Sequence, residues 1–378
     1  MKRIFCLLLI LAAGLVFARD VHPANNTYIR VAVIRDRDKV TLAVKGPYRL
    51  EAIHTDLLLD RGERLREEPI TPTDAGLKIG ERDFKIHGLR VIPERDSTIY
   101  IDGKRYRGLV DIIRMKNLKL LVVNHIELES YLYGVLFHEV PHYWPYEVLK
   151  AQAVAARTFA LYRIRSCKDK DYDVTSDVYS QVYGGRGSER WKTTRAVKAT
   201  RGQVLTYRGE ILPAYYHSMC AGHTEDANVV FGIDLPPLKG VKCPYCKGAR
   251  RMSWKASFSY KQIAERLNKY GIKASGIKHI AEGERDASGR LLDIKIKDKD
   301  GEKSIEAYKF RLALGPNMIK STNFTIKITR GGIIFSGKGW GHGVGMCQWG
   351  AFGMGRRRAS YKKILDFYYP GAKIEKVK

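Results

Sequence analysis

From Tyr28 to about Val123, hydrophobic positions mostly alternate with polar ones, as in Ile29/Val31/Val33 and Val40/Leu42/Val44, with glycine and proline between the runs. A two-residue period puts one face of an extended chain against a core, so residues 19–123 are predicted as a β-rich module. The period changes after Asn124. Leu128, Leu132 and Val135 have helical spacing between Glu127 and His138, and Pro141 and Pro145 interrupt it. A second helix is predicted from about Pro145 to Ile164, with a narrow apolar stripe of Val148, Ala151, Ala155 and Leu161. Its proline at the first turn forfeits no hydrogen bond, and Glu147 suits the positive end of the helix dipole.

Further on, short strands are predicted at Gln203 to Tyr207 and Ile211 to His217. A helix follows at Ser259 to Tyr270, then a hairpin of Leu291 to Ile296 with Ser304 to Tyr308. Strands at Phe324 to Ile328 and Ile333 to Phe335 precede a serine-capped helix at Ser360 to Tyr369, stopped by Pro370-Gly371. The sum is an α+β protein in which residues 124–378 form a mixed domain whose helices and strands enclose a groove.

Before these elements the pattern differs. Lys2 and Arg3 precede an apolar run from Ile4 to Phe17 that ends in Val16-Phe17-Ala18. It is shorter than the roughly 20 apolar residues a membrane span needs, and residues 1–18 read as a cleaved export signal. An extracytoplasmic location follows, with membrane contact only through that segment if it stays uncleaved. The net charge of +27 makes an acidic partner attractive. It is spread along the chain without a nucleic-acid-binding module, so nucleic acid is not the expected partner.

Three segments carry candidate chemistry. His138-Glu139-Val140-Pro141-His142 spells the H-E-x-x-H of zinc peptidases, which works only on an uninterrupted helix. Pro141 costs about 3 kcal/mol inside a helix, so the helix is predicted to end near Glu139, leaving that carboxylate at the junction. Cys220-Ala-Gly-His223 and Cys243-Pro-Tyr-Cys246 form two ligand pairs with the spacing of a closed tetrahedral zinc site. Three thiolates and an imidazole leave no open position, which makes the zinc structural. His217 is an alternative fourth ligand, and a Cys243–Cys246 disulfide is the competing reading. Gly337 to Gly355 is too glycine-rich for an ordinary helix or strand. Its glycines let backbone approach a ligand or the helix end that carries Glu139, with His342 and Gln348 as polar contacts, Trp340 or Trp349 as a stacking face, and Cys347 as a free buried thiol.

The stretch YLYGVLFHEVPHYWPYEVLKAQAVAARTFAL, from Tyr131 to Leu161, resembles the signature of the SpoIID/LytB family. SQVYGG (Ser180 to Gly185), TRGQVLTY (Thr200 to Tyr207), YHSMCAGHTED (Tyr216 to Asp226), GKGWGHGVGMCQWGA (Gly337 to Ala351) and YYPG (Tyr368 to Gly371) follow in the family's order. The resemblance implies a peptidoglycan lytic transglycosylase with Glu139 as catalytic acid/base and Arg157 lining the same site. Ser180, Gln181 and Tyr183 would border the cleft. A single carboxyl group suffices for this reaction, unlike the pair of ordinary glycosidases. Desolvation by Phe137, Tyr143 and Trp144 is expected to raise its pKa. The resemblance further implies glycan strands stripped of stem peptides as substrate, and hence a partner amidase. The competing reading is a wall-binding protein that grips glycan uncut and stimulates an amidase.

Overall fold

The computed structural model describes residues 27–167, 171–177, 180–246 and 252–377, so the export-signal expectation at 1–18 lies outside the described residues. The alternating stretch folds into strands β1 (Tyr28–Arg37), β2 (Val40–Ala52), β3 (Leu58–Pro72), β4 (Leu77–Ile79), β5 (Arg82–Phe84), β6 (Gly88–Pro93), β7 (Thr98–Ile101), β8 (Lys104–Tyr106), β9 (Leu109–Arg114) and β10 (Leu120–Glu127). With β11 (Val174–Thr175) they form one sheet in the order β11-β1-β10-β9-β6-β2-β3-β4-β5, with β7 and β8 paired onto β2. Ile29, Val31, Val40, Leu42 and Val44 all point into its core, as the two-residue period requires.

β10 runs directly into helix α1 (Leu128–Glu139), and α2 (Tyr146–Ser166) follows after the proline-containing turn. Tyr131, Leu132, Val135 and Leu136 of α1, together with Ala153, Ala156 and Ala160 of α2, share the core of the sheet. The alanines keep α2 thin on that side, which is what close packing against a neighbour demands.

A second core lies on the opposite side of α2, through Val148, Leu149, Ala151, Val154 and Ala155. Around it are α3 (Trp191–Ala199), β12 (Gln203–Tyr207), β13 (Glu210–Ile211), β14 (Tyr216–His217) and α4 (Ala227–Phe231). The chain then forms a third core of its own. It comprises β15 (Ser253–Phe258), α5 (Tyr260–Lys269), β16 (His279–Glu282), β17 (Asp293–Asp298), β18 (Gly301–Glu306), α6 (Ala307–Leu314), β19 (Phe324–Thr329) and β20 (Gly332–Lys338). Ser259 and Gln262 close a reciprocal capping box at the start of α5.

From there the chain returns to the second core as β21 (Met346–Cys347), α7 (Gln348–Arg356), α8 (Tyr361–Tyr368) and β22 (Lys373–Lys376). The glycine-rich segment is therefore more regular than its composition predicts: β21 pairs in parallel with β14, and α7 is a helix despite three internal glycines. α3 and α6 are two helices the sequence reading missed. Tyr308, read as the end of a strand, lies in α6.

Candidate functional site

The break at Pro141 does what its chemistry dictates. α1 ends at Glu139, Val140 is extended, and the chain turns before Pro145 opens α2. His138 and His142 therefore do not share a helical face. His138 pairs its Nε2 with the Ser188 hydroxyl at 2.6 Å, and the His142 ring lies between those of Phe137 and Tyr143.

Glu139 lines a cavity of about 400 Å³ with His138, Phe159, Ser180, Val182, Tyr215, Tyr216, His217, Trp340, His342 and Gln348. The third core supplies one wall through Tyr308, Arg311 and Leu312 of α6, followed by Pro316 and Asn317. Among the described residues Glu139 is the one carboxylate in this lining.

Three donors address its carboxyl group. The Val182 backbone N–H lies 3.3 Å from Oε1, the Gln348 amide 3.4 Å from Oε2, and the Tyr216 hydroxyl completes the set. Each favours the ionised form, yet burial outweighs them and pushes the pKa up to about 7. The desolvating aromatics are not those expected from sequence. Tyr143 is 71% exposed, and Trp144 packs instead on Trp349 and Phe352. The rings that line the cavity are Phe159, Tyr215, Tyr216, Phe231, Tyr308 and Trp340.

Arg157 corrects the expectation that it lines this site. It is fully buried, with Nε and Nη2 on the two carboxylate oxygens of Glu129 at 2.7 and 2.8 Å. Its guanidinium also donates to the carbonyls of Gln203 and Val197, which consumes the fork and ties α1, α2, α3 and β12 together.

Of the other expected contacts, Ser180 and Gln348 line the cavity. Gln181 sits behind it, accepting from the Tyr131 hydroxyl and donating to the Ala156 carbonyl and the Tyr216 hydroxyl, so it positions Tyr216. Tyr183 is buried and donates to Asn124 Oδ1 at 2.9 Å. His342 reaches the cavity with both ring nitrogens engaged, Nε2 on the Tyr216 carbonyl and Nδ1 accepting from the Val344 N–H. Burial pushes its pKa down to about 3, so it is neutral and braces the wall. Glu147 is turned away, bonded to the Tyr361 N–H and Lys150. Val182, in the stretch expected to border the cleft, lines the cavity, whereas Tyr216 and Gln152 are site residues that sequence reasoning missed.

The glycine segment permits this closeness. Gly341 and Gly345 have φ of 109° and 69°, and a Cβ on Gly345 would lie 2.0 Å from the Tyr215 carbonyl oxygen.

Behind the cavity, Cys220, Cys243, Cys246 and Cys347 are buried and free, with their sulfurs all within 4.8 Å of one another, an arrangement that could hold a metal ion. His223 is not among them. Its Nδ1 meets the Thr224 carbonyl, because left-handed Ala221 and Gly222 turn the chain before it. Cys347, expected as a free buried thiol, is free and buried, and it supplies the fourth sulfur of the cluster. The fit to a tetrahedral thiolate site is good. Cys220 and Cys246 sulfurs are 3.5 Å apart, near the roughly 3.8 Å edge that metal–sulfur bonds of ~2.3 Å generate. Cys347 Sγ accepts from the N–H groups of Cys220 and Gly350, as a thiolate would. Tyr368 places its hydroxyl 3.2 Å from Cys243 Sγ, and the adjacent Tyr369 hydroxyl donates to the Tyr215 carbonyl.

The fold and site define a mixed α+β protein with a groove whose floor holds one protonatable acid at a helix end. The family model described as Stage II sporulation protein matches residues 116–207, and one described as a domain of unknown function (DUF8618) matches residues 245–345. The chain is 31% identical to stage II sporulation protein D of Bacillus subtilis, over 67% of this chain and 75% of that protein. It is 37% identical to an uncharacterized protein of Brachyspira hyodysenteriae, over 93% and 94% of the two chains. To the amidase enhancer of Bacillus subtilis it is 30% identical, over 79% of this chain but 48% of that protein, about half its length. The chain belongs to the stage II sporulation protein D family. No helix among the described residues is long and apolar enough to cross a membrane.

Proposed function

We propose that the protein cleaves the glycan strands of peptidoglycan as a lytic transglycosylase, with Glu139 as its acid/base. The observation that carries this reading is a lone groove carboxyl group raised to about 7, because a group so poised can serve as acid and then as base at neutral pH. Protonated Glu139 gives its proton to the glycosidic oxygen as the bond from C1 of N-acetylmuramic acid to that oxygen breaks. The freed N-acetylglucosamine end leaves with that proton. The Glu139 carboxylate then takes the proton of the muramic 6-hydroxyl, whose oxygen bonds to C1 and closes a 1,6-anhydro ring. Glu139 ends as it began. The donors from Val182, Gln348 and Tyr216 hold the carboxylate between the two transfers. A hydrolase would need a second carboxylate to activate water, and the described lining offers none.

Cys220, Cys243, Cys246 and Cys347 would hold a structural zinc ion. Bound there, zinc would pin the chain just after β14, the Cys243–Cys246 loop and β21 at the start of α7, without entering the reaction. The amino-terminal segment suits export to the wall, and the SpoIID/LytB resemblance favours glycan already stripped of its stem peptides by a partner amidase.

A second reading is supported by the relative named amidase enhancer. In it the groove grips glycan uncut and stimulates an amidase. The deciding experiment is mass spectrometry of sugars released from amidase-treated peptidoglycan by the protein and its Glu139→Gln variant. Anhydro-muramic ends from the unsubstituted protein alone support the transglycosylase. Reducing ends that depend on Glu139 mean hydrolysis, and no release from folded protein leaves the binding reading.

A further inference from the structure

Helix α3 turns Thr193, Ala196 and Val197 inward, and its outer face carries Trp191, Arg195 and Lys198 at the spacing of one helical stripe. Arg190 and Lys192 flank Trp191, and the helix contains no acid. Acids at neighbouring element ends are already engaged: Glu189 holds Arg107, Glu127 holds Arg201 and Glu147 holds Lys150. Among the described residues Arg190, Lys192, Arg195 and Lys198 are in no ion pair, although the chain forms many elsewhere.

The turn between α1 and α2 continues this face. Tyr143 in that turn is 71% exposed and Trp191 is 68% exposed, more than any other large apolar side chain among the described residues. A run of contacts joins the two. The Arg190 guanidinium lies 4.3 Å from the Phe137 ring, which is 6.0 Å from the His142 ring, itself 5.8 Å from that of Tyr143. The Tyr146 hydroxyl donates to the Arg195 carbonyl, and the Arg195 guanidinium lies 5.5 Å from the Tyr146 ring, which fixes the start of α2 against α3.

Exposed rings among cations that lack acids suit a surface that is anionic outside and apolar beneath, which is what a bilayer interface offers. A soluble polyanion or a sugar chain would answer the charges, but it would take the rings by stacking. Here cations already cover one face of the rings of Phe137, Tyr146 and Trp191. We infer that the outer face of α3 and the α1–α2 turn form a docking surface for an anionic phospholipid membrane. Trp191 and Tyr143 enter the headgroup layer, and Arg190, Lys192, Arg195 and Lys198 meet lipid phosphates. His138, next to Phe137, lines the cavity, so the docking surface adjoins the groove. The inference does not depend on the reaction assigned to Glu139.

The test is co-sedimentation with vesicles of phosphatidylcholine alone or of an equal mixture with phosphatidylglycerol. The protein begins at Arg19, which keeps every described residue and removes the apolar leader from the measurement. Binding is expected on the mixed vesicles, to be much weaker on phosphatidylcholine, and to decline as salt rises. Trp191→Ser and Tyr143→Ser should each weaken it roughly fivefold, and the double variant Arg195→Gln/Lys198→Gln roughly tenfold or more. These side chains are exposed, so the fold is kept. Lys327→Gln/Lys338→Gln removes the same charge from exposed positions on β19 and β20 and should cost less than about twofold. An equal loss from that control would make the attraction a property of net charge and overturn the inference. So would failure to bind the mixed vesicles, whether or not polyphosphate binds through Arg195 and Lys198 with no effect of Trp191→Ser; that pattern would assign the face to a free polyanion.

Discussion

Gln348, the first residue of α7, places its amide nitrogen 3.4 Å from Glu139 Oε2 and 3.4 Å from Gln152 Oε1, joining the acid at the end of α1 to the middle of α2. An amide in this position donates to the ionised carboxylate and so restrains the upward shift that burial imposes.

Because Glu139 must be protonated to act first as an acid, activity should fall as pH rises through about 7. Gln348→Leu removes a donor to the charged form. The alkaline limb of the rate profile should move to higher pH by less than roughly one unit, with kcat reduced about tenfold. A pH–rate series on amidase-treated peptidoglycan reads both; an unmoved limb would mean that Gln348 does not reach the acid in solution.

Glu139→Gln should abolish glycan release while making the fold more stable at neutral pH. The folded pKa of about 7 lies above the ordinary glutamate value of 4.5, so the folded state holds an extra proton between those values. Stability from this group is thus fully present below about pH 4.5 and declines as pH rises to 7. Glutamine removes that penalty, giving on the order of 1–3 kcal/mol at pH 8 and little difference near pH 4. Denaturant midpoints at the two pH values check the sign.

Arg157→Ala should act on folding. It strips Glu129 of its partner in the interior and orphans two backbone carbonyls, a loss of about 3–5 kcal/mol. Arg157→Lys should recover only a small part, since an ammonium group cannot span both carboxylate oxygens. Equilibrium unfolding measures both, and a variant of undiminished stability but no activity would restore Arg157 to the groove.

Metal analysis of purified single variants should separate the two proposed ligand sets. Cys347→Ser should lower bound zinc as much as Cys243→Ser, whereas His223→Ala should retain it. A chelator should lower the Tm of the unsubstituted protein by several degrees. Retention of full zinc by Cys347→Ser would return the fourth position to a histidine.

The helix stop at Pro141 and the acid before it were legible in the sequence, because a proline's missing donor is a local fact. Contacts between distant segments were not. Cys220, Cys243 and Cys246 announce themselves by spacing, but Cys347 lies far along the chain, and β14–β21 pairing alone brings it to them. His223 had the right spacing, and two left-handed residues turned it away. Arg157 was assigned to the site by the family resemblance, while its partner Glu129 lies on another helix. In α6, Tyr308, Phe310, Leu312 and Leu314 alternate like a strand, yet the buried members Ala307, Phe310, Arg311 and Leu314 follow a helical period.

The wall formed by Tyr308, Arg311 and Leu312 belongs to a body with its own hydrophobic interior, whereas Glu139 stands on a helix rooted in the sheet. The acid and the wall that faces it thus stand on different pieces of chain. A change confined to the piece from β15 to β20 would reshape that wall while leaving the acid and its three donors in place.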